Sequence, residues 1–318
     1  MKMHEDTFTI GSVLPDIKTA KSIKPPFGYY GAKQRLASQI VKSLPPHNAW
    51  VEAFCGSSAV TLAKKPVPIE VINDIDGEIV NIFDQIRDNT EELCRSIALT
   101  PYARAEYQRA REETDQSNTL ERARRFLITA MMTVNGTVDP MKAGFSFSQS
   151  YARGNREARV NRWYKLPDRI ELVAERLRNT RIENRDAREL LKMFLNRPAT
   201  LVYLDPPYFA DRSHNYRHDA NNKDFHKELL TICRKARCMI LISGYDSELY
   251  NSILSPDKGW TRKEIETTTR DTTGKDHPRT EVLWENKYFT KAYETKLMNI
   301  RLTKKEKTDH KINPSRGK

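Results

Sequence analysis

Residues 201–208 read LVYLDPPY: four apolar residues run directly into an acid, two prolines and an aromatic ring. Leu201 to Leu204 suit a strand buried on both faces, because they do not alternate apolar with polar as a half-exposed strand does. The prolines end that strand, since neither carries the N–H that a ladder requires. Asp205, when ionised, only accepts hydrogen bonds, and the carbonyls of Pro206 and Pro207 are fixed acceptors beside it. Two acceptors converging on one –NH2 group suit an exocyclic amine. Tyr208 adds a face for a planar base, a contact worth about 1–3 kcal/mol in nucleic-acid sites.

Outward from this stretch, apolar runs alternate with helical ones. Ala49 to Phe54 reads as a strand, followed by the small-residue turn Cys55-Gly56-Ser57-Ser58 and the helical AVTLAKK. Ile69 to Asp74 is a second strand ending on an acid, before a helix over about 77–87. Strands are also expected at 180–183, 199–204 and 238–243, with helices near 186–195, 223–236 and 246–254. This alternation predicts an α/β fold with a mostly parallel sheet covered on both faces. In such a sheet, ligands gather beyond the carboxyl ends of the strands. Asp74, Asp186 and Asp205 all fall there. No GxGxxG occurs, which weighs against a dinucleotide site. An acid at position 74 can accept from a ribose diol or cap the helix that follows, and the sequence leaves both readings open.

The alternation stops between about 95 and 179, where sixteen Lys or Arg face ten Asp or Glu, a net of +6 and half of the chain's +12. Clustered cations gain by displacing counterions from phosphates, so this insertion is the candidate surface for a polyanion. Arg153, Arg156, Arg159, Arg162 and Lys165 recur at every third position. On one helix they would form a spiral stripe, since each residue advances about 100°; on a hairpin they would splay to both sides. The four cysteines have no zinc or disulfide spacing, no apolar run is long enough to span a membrane, and no signal pattern opens the chain, so the cytoplasm is the expected compartment. Residues 1–22 and 301–318 read as a polar tail and a basic tail.

Taken together, the ordered segments from about 25 to 290 resemble the Dam-type, alpha-group DNA adenine-N6 methyltransferases. PPFGYYGAKQRL is similar to their N-terminal segment, AWVEAFCGSSAV to their FxGxG cofactor loop with Ser58 in place of the second glycine, and LDPPY to their catalytic signature. VINDIDGEIVN and IENRDARELL resemble the segments whose acids meet the cofactor ribose and adenine. The resemblance implies a Rossmann-like S-adenosylmethionine-dependent methyltransferase fold, with a catalytic domain over 23–94 and 180–300. It also implies an inserted, mainly helical target-recognition domain over 95–179 that carries a β-hairpin.

It implies Asp205, Pro206, Pro207 and Tyr208 as catalytic residues. Tyr29, Gly31, Lys33, Phe54, Gly56, Ser57, Ser58, Asp74, Asp186 and Asp205 would meet S-adenosylmethionine, and no metal is called for. Through NGTVDPMKAGFSFSQSYARGN it implies Asn135, Gly136, Ser146, Phe147, Arg153 and Arg156 as DNA contacts. The expected activity is site-specific methyl transfer to an adenine flipped from double-stranded DNA. Cytosine-N4 or RNA adenine methylation on the same fold, and an inactive DNA-binding regulator, are the alternatives. A monomer or weak dimer in a bacterial or phage-infected cell is expected, with double-stranded DNA as partner and a cognate restriction nuclease where the gene is one of a pair.

Overall fold

A computed structural model of the chain describes residues 8–10, 23–29, 33–113, 116–134, 144–147, 152–153, 155–207, 223–270 and 276–300. The elements begin with β1 (Phe8–Ile10), α1 (Ala37–Lys42), β2 (Ala49–Glu52), α2 (Ala59–Ala63), β3 (Ile69–Asn73) and α3 (Gly77–Asp88). A helical stretch follows: α4 (Thr90–Ala98), α5 (Arg104–Glu112), α6 (Thr119–Met132), the two-residue strands β4 (Ala152–Arg153) and β5 (Arg156–Glu157), α7 (Ala158–Tyr164) and α8 (Leu166–Leu177). The chain then resumes its alternation with β6 (Thr180–Glu183), α9 (Ala187–Phe194), β7 (Thr200–Leu204), α10 (Lys223–Lys235), β8 (Met239–Gly244) and α11 (Glu248–Ile253). It closes with β9 (Trp260–Arg270), β10 (Asp276–Asn286), α12 (Lys287–Thr295) and β11 (Met298–Ile300).

Seven strands form one sheet in the order β6-β3-β2-β7-β8-β10-β9. The first five run parallel, and β10 and β9 are antiparallel to their neighbours. Every residue of β2, β7 and β8 is buried, as continuous apolar runs require when helices cover both faces. The chain winds outward from β2 to β6 and then returns to β7 on the other side of β2. Beyond the carboxyl ends of β2 and β7, the loops therefore part and leave a crevice, the place where such sheets receive ligands.

Helices α4 to α8 do not form a separate core. Leu127, Ile128, Trp163 and Leu166 pack in the same cluster as Phe27, Leu62 and Ile72, so the insertion is anchored to the face of the sheet. Trp163 donates to the Thr100 carbonyl at 2.8 Å, satisfying the indole N–H that burial would otherwise strand. Near the carboxyl end of α8, Arg176 pairs with Glu70 at the amino end of β3 (2.5 Å). That contact holds the carboxyl end of α8 beside the start of β3, and Arg169 lies seven residues earlier, about 10 Å along the helix at 1.5 Å per residue.

The structure departs from the sequence reading in three places. The long β9–β10 ribbon was not evident, because TRKEIETTTR alternates charge and Thr around a single Ile and reads as a solvated run. Residues 8–10, inside the expected N-terminal tail, pair with 298–300. The basic row splits between two geometries, with Arg153 and Arg156 facing each other across the β4–β5 hairpin and Arg159 and Arg162 on α7. The basic tail over 301–318 lies outside the described residues.

Candidate active site at the carboxyl edge of the sheet

Asp205 is the first residue beyond β7 and the centre of a buried polar chain. Its Oδ1 accepts from Lys33 Nζ at 2.6 Å and from Ser243 Oγ at 3.1 Å. Ser243, in β8, in turn meets the Tyr203 hydroxyl at 2.8 Å. Since the Ser243 proton points to Asp205, Tyr203 is the donor of that bond. The Tyr203 ring is held flat by stacking on Trp50 of β2, with centroids 5.9 Å apart. Among the described residues no donor reaches Asp205 Oδ2, and the side chain keeps 17% exposure. Pro206 is buried and Pro207 half-buried beside it.

Lys33 lies between two acids, with Glu281 Oε1 of β10 at 3.3 Å on its other side. Val282 pairs with Gly244, the last residue of β8, so Glu281 stands one step beyond the end of that strand and faces the crevice. Burial alone would lower the Lys33 pKa, but the charges of Asp205 and Glu281 outweigh it and hold the ammonium protonated. Burial pushes the Asp205 carboxyl above its ordinary range, against the pull of Lys33. Glu52 at the end of β2 is raised to about 7, first by burial, and also by the charge of Asp205. Its Oε2 accepts from Ser58 Oγ and Thr61 N, each at 3.2 Å, and from the Thr61 hydroxyl.

The cofactor-loop candidates converge next to these acids. Gly56 has φ +46 and its N–H donates to Asp74 Oδ2 at 2.8 Å. A Cβ at position 56 would lie 2.8 Å from the Tyr29 ring, so the loop and the N-terminal segment touch only because residue 56 lacks a side chain. Ser58, fully buried, adopts the left-handed φ of +56 that favours glycine, at a cost of about 1–2 kcal/mol. Ser57 Oγ is buried without a hydrogen-bond partner among the described residues.

Asp74 does not cap the helix after β3. Asp76 does so, accepting from Glu78 N at 2.9 Å, which frees Asp74 for the crevice. Burial raises Asp74 to about 6, against the backbone donors of Asp76 and Gly56. Two asparagines tie the strand ends together. Asn73 donates to the carbonyls of Ala53 and Arg185, and Asn184 donates to the carbonyl of Asp74. Asp186 thereby reaches the same edge, although its carboxylate caps α9 through Arg188 N and pairs with the Arg188 guanidinium at 2.6 Å. Arg188 also lies 4.9 Å over Phe225, whose ring meets Phe54 edge-on at 6.4 Å.

On the insertion, Ser146 is buried rather than presented. Its N–H bonds the Met132 carbonyl and its own carbonyl accepts from the Tyr102 hydroxyl. Phe147 is 58% exposed and lies 6.0 Å from the Arg104 guanidinium. Arg156 is exposed and stacks over Tyr164 at 4.0 Å, while Arg153 is placed by its backbone opposite it. Gly31, Asn135, Gly136 and Tyr208 lie outside the described residues.

Sequence reasoning missed Ser243, Tyr203, Glu281, Glu52 and Phe225. One signal was present: Glu281 directly precedes the apolar Val282-Leu283-Trp284, and an acid at the edge of a buried strand needs a partner. Lys33, expected among the cofactor residues, donates its ammonium to Asp205.

The chain is 27% identical over 203 residues to the type II methyltransferase M1.LlaDCHI of Lactococcus lactis subsp. cremoris, covering 60% of this chain and 68% of that protein. Among solved structures, the precorrin 8w decarboxylase of Methanobacterium thermoautotrophicum has a TM-score of 0.33 at 10% identity, over 80% of this chain and 88% of that one. Likeness at that level adds nothing to the strand order. Residues 29–307, which span Tyr29, the cofactor loop, Asp205 and Glu281, match one family model throughout. That span holds Asp205 together with its lysine and serine neighbours, and the chain belongs to the D12 class N6 adenine-specific DNA methyltransferases.

Proposed function

We propose that this enzyme transfers the methyl group of S-adenosylmethionine to N6 of an adenine extruded from double-stranded DNA, with Asp205 Oδ2 holding the amine. The observation that carries this reading is the asymmetry of the Asp205 carboxylate. Oδ1 takes both Lys33 and Ser243, which leaves Oδ2 without a donor among the described residues on a carboxylate that keeps some exposure. The crevice also suits the cofactor. It offers acids at the ends of β2, β3, β6 and β7 to a cationic ligand rich in hydroxyl and amine donors, a glycine that lets backbone approach closely, and an unpartnered buried hydroxyl at Ser57. Asp74 would accept from the ribose diol, and Phe54 with Phe225 would flank the adenine near Asp186.

When bound, S-adenosylmethionine supplies a methyl group already activated on a sulfonium. The chain's own work is then to aim one lone pair. Asp205 Oδ2 and the Pro206 carbonyl accept the two N6–H bonds, which draws the nitrogen lone pair out of conjugation and turns it toward the methyl group. Tyr208 stacks on the base plane. Methylated N6 carries one proton too many, and Asp205, its carboxyl held high by burial, accepts that proton and releases it to water on its exposed side. Most of the acceleration comes from positioning.

Duplex methylation decides the reading. The protein is incubated with labelled S-adenosylmethionine and duplex DNA, and the DNA is digested to nucleosides. Label in N6-methyldeoxyadenosine is expected; label in N4-methyldeoxycytidine, or none, sinks the proposal. The four cysteines are buried free thiols, which fits a reducing cytoplasm. No helix among the described residues is long and apolar enough to cross a membrane. The type II name of the Lactococcus relative makes a cognate restriction nuclease the first partner to seek.

A further inference from the structure

Of the seven arginines of the insertion that are buried or half-buried among the described residues, four have an acid, Arg125 with Glu113 among them. Arg122 pairs with Glu78, Arg124 with Glu121 and Arg176 with Glu70. Arg159, Arg162 and Arg169 break this pattern. All three are half-buried, yet no carboxylate among the described residues forms an ion pair with any of them. Arg162 Nη2 packs on Gly28, where a Cβ would lie 3.7 Å away, and Arg169 Nη1 donates to the Pro25 carbonyl at 3.5 Å. Glu157, on the same turn, spends its Oε2 on the backbone N–H groups of Arg159 and Val160. Burial lowers the Arg162 pKa first, and the charges of Arg169 and Arg159 lower it further. Burial also lowers Arg169.

The place of this cluster indicates its ligand. Arg169 stands in the first turn of α8 and reaches Pro25, Arg162 is on α7, which follows the β4–β5 hairpin, and Gly28 is one residue from Tyr29, which packs on the Gly56 loop. The guanidiniums of Arg162 and Arg169 thus lie against residues 25–28, the segment that leads to Tyr29 and the Gly56 loop. Like charges brought together out of water are costly unless an anion completes them. A phosphodiester suits them, because guanidinium forks match its oxygens and the strand carries further phosphates past Arg153 and Arg156.

We propose that Arg159, Arg162 and Arg169 form a phosphate site that grips the DNA backbone beside the extruded nucleotide. The site rests on the reading of the enzyme as a base-flipping DNA methyltransferase. It goes beyond general electrostatic attraction, because these cations are half-buried and have no ion-pair partner among the described residues, rather than being spread over a solvated face.

The test uses the full chain, a labelled duplex of genomic sequence and S-adenosylmethionine, with Arg162→Gln and Arg169→Gln compared with the parent. Each neutralised phosphate contact contributes close to one unit to the slope of log affinity against log salt. Each variant is expected to bind duplex with a slope shallower by about one, to bind S-adenosylmethionine with unchanged affinity, and to melt no lower than the parent. An unchanged slope overturns the proposal. If cofactor binding weakens instead, the anion is the cofactor carboxylate; if the melting temperature falls, the arginines are structural. Failure of the underlying reading looks different, since the parent itself would then neither bind nor methylate duplex DNA.

Discussion

Lys33 Nζ and Asp205 Oδ1 are 2.6 Å apart although 172 residues separate them in sequence. This one contact joins the segment before the first parallel strand to the acid after the fourth. It sets the charge of the site, because one ammonium serves two buried carboxylates, Asp205 and Glu281. Replacing Lys33 with Met leaves Asp205 buried without its cation, so the carboxyl pKa rises further. The acid limb of the kcat profile should then move upward by at least about one pH unit, with activity partly restored in alkaline buffer. A profile identical to the parent's would show that Lys33 does not act through Asp205.

Asp205→Asn keeps the shape of the side chain but gives Oδ2 or its replacement a donor where the amine needs an acceptor. Transfer should fall by about a hundredfold or more, the range seen for a positioned acid or base, while duplex and cofactor affinities change little. Single-turnover kinetics with bound DNA isolates that step. Parent-like single-turnover rates would remove Asp205 from the chemistry.

Ser243→Ala removes one of the two donors at Oδ1 and frees the carboxylate to rotate. Tyr203→Phe removes only the donor behind Ser243. The first should cost about tenfold in kcat and the second less, with KM for duplex unchanged in both. Losses in the reverse order would mean that Tyr203 contributes through packing against Trp50 rather than through Ser243.

The sequence exposed the central strands and the motif acids because they obey local rules. A strand covered on both faces is apolar throughout, and an acid after a strand followed by prolines is visible without any partner. Ser243 and Tyr203 were invisible for the opposite reason: each matters only through a contact with a residue tens of positions away. The β9–β10 ribbon escaped for a third reason, since its polar alternation matches a charged solvated run equally well. At Asp74 the geometry removes the capping reading, because Asp76 takes that role two residues later.

Glu52 makes an independent prediction about stability. Its carboxyl titrates near 4.5 in an unfolded chain and at about 7 when folded, chiefly because burial penalises the anion. Between these values the folded state binds a proton that the unfolded state does not, so stability falls as pH rises through that window and levels off above it. Asp74, raised to about 6, acts in the same direction. Glu52→Gln should flatten the slope between about pH 5 and 7 by up to about 3 kcal/mol. Denaturant titrations of both proteins across that range would show it, and parallel curves would mean that the Glu52 carboxyl is not perturbed.

Gly56→Ala tests whether the cofactor loop owes its shape to the contact with Tyr29. Two costs are expected: left-handed backbone for an alanine, about 1–2 kcal/mol, and a Cβ placed 2.8 Å from the Tyr29 ring. The ring must move or the loop must, and the Gly56 N–H that Asp74 accepts moves with the loop. Affinity for S-adenosylmethionine should therefore fall by at least about tenfold, the equivalent of 1.4 kcal/mol. Adding Tyr29→Ala separates the causes. If the clash dominates, the double variant binds cofactor more tightly than Gly56→Ala alone; if backbone strain dominates, the two losses add. Calorimetric titration of the four proteins reads this directly, and wild-type affinity in Gly56→Ala would show that the loop accommodates a side chain without cost to the cofactor site.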